Sequence, residues 1–121
     1  MDTIVYGIAN CDTVRKARTW LAGNGVPYLF HDFKKQGVPA DRLDGWIASV
    51  GWEQLVNRKG TTWRRLDAAT QAGVQDVASA KTLMLAEPSV IRRPVVDWGP
   101  KTTVGFDRDG WALHAGRQNR N

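Results

Sequence analysis

Cysteine is nearly absent: the 121 residues contain one, Cys11. No disulfide can form within the chain, and redox chemistry at that sulfur needs a second molecule to complete it. Histidine is almost as scarce. His31 and His114 have no second ligand at metal spacing, and both read as partly exposed polar residues, so no metal site is expected. Nor does any stretch approach the roughly 18 consecutive apolar residues of a membrane span. Met1 to Asn10 lack the basic start and long apolar run of a secretory signal, and with a lone cysteine this gives a cytoplasmic expectation. Repeats, low-complexity tracts and glycine-rich phosphate loops are also missing.

Positive charge is present in excess, with a formal net charge of +5, which would attract nucleic acid if it were clustered. It is dispersed instead. Arg15-Lys16, Lys34-Lys35, Arg58-Lys59, Arg64-Arg65 and Arg92-Arg93 are short pairs separated by acidic residues, a pattern of solvated faces plus a small-anion site. The six tryptophans are spread through different segments and read as packing residues, not as a base-stacking platform. With 42% hydrophobic residues, the length suits one domain with its own core. We expect that domain over residues 1–116, with a helical insert at about 38–87 and a flexible tail at 117–121.

Thr3 to Tyr6 favour a strand that stops at Gly7. From Asp12 to Ala22 the apolar residues Val14, Ala17 and Leu21 recur at helical spacing, with Asn10 as the expected N-cap and Gly23-Asn24-Gly25 as the stop. Tyr28 to Phe33 then reads as a second strand. Strand, helix and strand at this spacing predict a parallel pair with right-handed connection. Beyond Pro39 the pattern turns helical: Leu43, Trp46, Ile47 and Val50 mark one helix ending at Gly51, and Thr61 or Thr62 would cap a short one through Leu66. Val77, Ala80, Leu83 and Met84 mark another that ends before Pro88. Val95 to Trp98 and Thr102 to Phe106, flanking Gly99-Pro100-Lys101, form an expected antiparallel hairpin. A last helix is expected from about Arg108 to Ala115.

Chemistry centres on Cys11, placed between a strand and the first turn of a helix, where unpaired amides and the helix dipole stabilise a thiolate. Asp12 works against that unless it points to water. An inert, packed thiol fits the position equally well. Arg58, in the polar break Asn57-Arg58-Lys59-Gly60, and Arg93, just before Pro94, are the candidate anion-binding groups, because the arginine fork suits carboxylates and oxyanions.

Tyr6-Gly7-Ile8-Ala9-Asn10-Cys11-Asp12-Thr13, Asn57 to Trp63, Pro88 to Val95 and Val104-Gly105-Phe106 together resemble the family that joins ArsC-type arsenate reductases to Spx-type regulators, in particular its YffB-like branch. The resemblance covers about residues 3 to 115. It implies an α/β, thioredoxin-like fold with a helical insertion in the middle of the chain and a cis proline at Pro94. It also implies Arg93 close to the sulfur, and Arg58, or Asn57 after a one-residue shift, as the middle-block contributor. Asn10, Arg58, Arg93 and Pro94 are thus the expected glutathione- or anion-binding residues around Cys11. Three departures matter. The reductases have a histidine where this chain has Gly7 and a third arginine where it has Val104-Gly105-Phe106, which argues against arsenate reduction. The redox-switch regulators have a second cysteine where it has Val14, which excludes an internal switch. What remains is a glutathione-dependent monothiol reductase, acting on a small-molecule or protein thiol substrate, with no tightly bound cofactor and with glutathione as co-substrate or glutaredoxin as partner. The alternative is a non-enzymatic interaction protein of the Spx type.

Overall fold

The computed structural model describes residues 3–118, which fall into two compact units, residues 3–32 with 93–118, and Phe33–Arg92. In the first, β1 (Thr3–Gly7), α1 (Asp12–Gly23) and β2 (Tyr28–Asp32) form the expected parallel unit. Gly25, at φ 67°, makes the left-handed turn after α1 that a glycine adopts without strain. β3 (Val95–Asp97) and β4 (Thr102–Val104) form the expected hairpin, and the sheet order is β2-β1-β3-β4. β1 runs antiparallel to β3, with Tyr6 opposite Val95, Val5 opposite Val96 and Ile4 opposite Asp97.

Helix α1 lies on this sheet through Val14, Ala17 and Leu21, all fully buried, because positions i, i+3 and i+7 share one face. Below them Val5, Val96, Trp98 and Trp111 belong to one core with Leu21 and Val26. Aromatic rings dominate it. Trp111, on α8 (Arg108–Gln118), meets Trp98 edge-on at 5.1 Å, Phe106 at 4.8 Å and Trp20 at 5.8 Å. Such tilted pairs gain quadrupole energy beyond their buried area. Trp98 satisfies its indole N–H by donating to Thr103 Oγ1 at 2.9 Å. His114, expected as an ordinary polar residue, stacks on Trp98 at 5.2 Å, and His31 packs against Tyr6 at 5.1 Å.

The second unit is helical: α2 (Phe33–Gln36), α3 (Ala40–Val50), α4 (Trp52–Leu55), α5 (Thr61–Arg65), α6 (Ala68–Gly73), α7 (Val77–Ala86) and a 3-10 turn at Pro88–Val90. Leu43, Trp46 and Ile47 of α3 and Ala80, Leu83 and Met84 of α7 are buried. Asp76 and Ser79 form a reciprocal capping box at the start of α7. An antiparallel bridge between Val56 and Ile91 closes the unit's loops.

Four expectations need correction. Cys11, not Asn10, is the N-cap of α1, because the chain first makes a turn in which Cys11 N–H donates to Ile8 C=O at 3.2 Å. Gly60, not Thr61 or Thr62, caps α5, since the Asn57–Gly60 turn already leads the chain into the helix. Phe33 opens α2 instead of ending β2. Helix α8 continues through Gln118, so the first two residues of the expected tail are helical, while 119–121 lie outside the described residues. The second unit is also wider at both ends than the expected insert.

Trp111 is 1% exposed and touches three other aromatic rings. Trp111→Ala is expected to lower the unfolding free energy by about 3–5 kcal/mol, measured by urea denaturation. A loss below about 1 kcal/mol, within the range of ordinary surface substitutions, would contradict its place at the centre of the core.

Candidate active site

The site begins where β1 stops. A Cβ built on Gly7 would lie 2.9 Å from Val14 Cγ2, closer than real carbon contacts, so the strand end and the first turn of α1 touch with no room for a side chain. Between them Ile8 to Cys11 form the hydrogen-bonded turn. Cys11 is extended (φ −108°, ψ 128°), and its carbonyl accepts from Arg15 N–H at 2.9 Å. That geometry makes it the last residue before the helix, with the free first-turn amides beside its side chain.

The Cys11 thiol is half-buried, although it makes no full capping hydrogen bond. Burial is the largest single influence on its pKa and pushes it up, since a thiolate loses hydration. The opposing groups win: the Val14 N–H, the Arg93 guanidinium as donor and as positive charge, and the Thr13 N–H together hold the pKa below the ordinary cysteine value. Asp12 is exposed and turned to an ion pair with Arg15.

Sheet register explains why Arg93 is there. Because Tyr6 faces Val95 across antiparallel strands, the residues entering β3 lie beside those leaving β1. The Arg93–Pro94 peptide is cis, and buried Pro94 accepts a hydrogen bond from Gly105 N–H at 2.9 Å, tying this entry to the end of β4. Arg92, its neighbour, belongs to the other unit, where its N–H donates to Leu55 C=O at 2.7 Å.

Of the residues expected at the site, the first unit therefore carries Asn10, exposed in the turn before the cysteine, together with Cys11, Arg93 and Pro94. Arg58 and Asn57 belong to the second unit. There Asn57 folds back, its Oδ1 accepting from Lys59 N–H at 3.2 Å and its N–H donating to Val90 C=O at 2.8 Å. Arg58 is exposed and its guanidinium lies 5.7 Å from the Trp52 ring and 5.6 Å from the Trp63 ring, within cation–π range of both. The amides of Thr13 and Val14 went unnamed in the sequence reading, although helix start and cysteine position imply them. Among the described residues no group of His, Cys, Asp or Glu could hold a metal ion, and no helix is long and apolar enough to cross a membrane.

The model of the ArsC family matches residues 6–113. The solved structure of a YffB protein is 48% identical and superposes with a TM-score of 0.89, covering 93% of this chain and 98% of that one. An uncharacterized Haemophilus influenzae protein is 37% identical over 85% of this chain and 90% of its own length. The global transcriptional regulator Spx 1 of Lactococcus lactis is 23% identical over 87% of this chain and 82% of its own.

Removing a cation that favours the thiolate must raise the thiol pKa. Arg93→Ala is therefore expected to move the pH midpoint of Cys11 alkylation upward, and Arg92→Ala to leave it in place. Equal shifts would mean a diffuse basic surface. Gly7→Ala should destabilise the fold by about 1–3 kcal/mol through overpacking. Combined with Val14→Ala it should cost less than the sum of the two single changes, whereas strict additivity would contradict the close approach.

Proposed function

The chain belongs to the ArsC family, and from that premise we propose that it is a glutathione-dependent reductase working with a single cysteine. The observation that carries this reading is a half-buried Cys11 at a helix start, its thiolate favoured by Arg93 and two backbone amides. The Cys11 thiolate attacks one sulfur of a mixed disulfide. That S–S bond breaks, the substrate thiolate leaves with the electron pair, and the protein is left as a mixed disulfide. An external thiolate, from glutathione or glutaredoxin, attacks that bond and regenerates Cys11, because the chain has no second cysteine of its own. Arg93 holds a carboxylate of substrate or glutathione, with Asn10 and Pro94 lining the approach to the sulfur.

Two departures from the arsenate reductases have physical counterparts that count against arsenate as substrate. A side chain at position 7 would run into Val14. Where those enzymes carry a third arginine, Phe106 packs against Trp20 and Trp111. The second reading, an interaction protein of the Spx type, is favoured by the Lactococcus relative. It would be supported by retention of RNA polymerase on the immobilised protein, undiminished by Cys11→Ser.

The test is a coupled assay of deglutathionylation of a peptide mixed disulfide. Activity is expected for the native protein and none for Cys11→Ser. Arg93→Ala should raise the glutathione KM about tenfold, the loss of one charge-assisted contact of about 1.4 kcal/mol. Arsenate turnover should be negligible. Absence of any Cys11-dependent exchange would overturn the reading, and robust arsenate reduction would overturn the weight given to Gly7 and Phe106.

A further inference from the structure

The outer face of α1 carries features that the chemistry at Cys11 does not use. Residues 11, 15, 18 and 22 stand at i, i+4, i+7 and i+11, so one stripe of the helix runs from Cys11 through Arg15 and Arg18 to Ala22. By the helical rise, Arg15 and Arg18 are about 6 and 10 Å along the axis from the cysteine. The stripe is also a groove: an open cleft of about 390 Å³ is lined by Arg15, Arg18, Thr19, Ala22 and Tyr28.

Arg18 is fixed within it. Its guanidinium stacks over the Phe30 ring at 4.1 Å from the centroid, and its Nε donates to the Tyr28 hydroxyl at 3.0 Å. One nitrogen is thereby used and the plane is held, so the remaining N–H groups are oriented before any ligand arrives, which lowers the entropy lost on binding. A second cleft, of about 280 Å³, shares Arg15 and Thr19 with the first and adds Lys16 and Arg108. Neither Lys16 nor Arg108 has an ion-pair partner among the described residues. Arg15 is already matched by Asp12, so the uncompensated charge is that of Arg18, Lys16 and Arg108.

We infer that this face of α1 is a docking surface for an acidic segment of a partner protein, which it guides toward Cys11. The inference rests on the reading of Cys11 as a thiol that exchanges with an external one, and it makes that external thiol part of a protein. A protein segment fits better than a small molecule because the two clefts are open and adjoining, offering a track instead of an enclosing pocket. It also fits better than nucleic acid, because only a protein segment brings a thiol that Cys11 can exchange with.

The probe is a hexaglutamate peptide ending in cysteine, activated as a mixed disulfide with thionitrobenzoate, beside a hexaglutamine control. Cys11 thiolate attacks the peptide sulfur, forming the protein–peptide disulfide and releasing thionitrobenzoate anion. The acidic peptide is expected to react about fivefold faster at low ionic strength, with the advantage disappearing at high salt. It should also disappear in the surface pair Lys16→Glu with Arg108→Glu, and in Arg18→Gln, but persist in Arg64→Glu on α5. Amide shifts on adding unactivated hexaglutamate should map to Arg15, Lys16, Thr19 and Arg108. Equal, rapid exchange with both peptides, or shifts scattered over all basic residues, would overturn the docking surface. So would tighter binding of a short oligothymidylate at the same resonances. Slow exchange with both peptides alongside localised shifts would refute the exchange chemistry at Cys11 and leave the surface standing.

Discussion

The approach of Gly7 to Val14 sets the geometry on which the rest of the site depends. With a Cβ on Gly7 only 2.9 Å from Val14 Cγ2, β1 and the first turn of α1 are in direct contact, and the turn Ile8 to Cys11 is the link between them. Val14 is held on its other side by the core, being fully buried with Ala17 and Leu21, so the helix has little freedom to move away. The start of α1 is thereby pinned beside the end of β1. Cys11 becomes the N-cap, the amides of Thr13 and Val14 come next to its sulfur, and the antiparallel pairing of β1 with β3 brings in Arg93. The same contact leaves no space at position 7 for a side chain, so geometry that favours a thiolate also removes a place for a further polar group.

At the sulfur, burial and charge oppose each other. Partial burial raises the energy of the thiolate, while a cation and two amides lower it by more, and the balance puts the thiol pKa below the ordinary cysteine value. The hairpin contributes to packing more than to charge. Phe106 follows β4 and joins Trp20, Trp98 and Trp111 in the aromatic core, and Gly105, at φ 80°, turns the chain there while its N–H holds Pro94. Electrostatic work at Cys11 within this unit therefore falls on Arg93.

Much of this was legible in the sequence. The period-3.6 pattern of Val14, Ala17 and Leu21, the β-favouring runs and the glycine stops identify β1, α1, β2 and the hairpin, and Leu43, Trp46 and Ile47 identify α3. Short helices were not: α2, α4 and α6 have four to six residues, too few turns for a hydrophobic period to register. The N-cap was misplaced because Asn is a strong capping residue by type, whereas the backbone turn from Ile8 moves the helix start one residue on. The contact of Gly7 with Val14, seven residues apart, and the stacking of Arg18 on Phe30 depend on how α1 lies on the sheet. Neither carries a local signal.

The central claim is that folding makes the Cys11 thiolate easier to form. The direct measurement is the ultraviolet absorbance of the thiolate as a function of pH, for the native protein and for the same chain unfolded in urea. A lower midpoint in the native protein is predicted, because Arg93 and the amides of Val14 and Thr13 surround the sulfur only in the folded state. A native midpoint equal to or above the unfolded one would mean that burial prevails over charge, and would contradict the account.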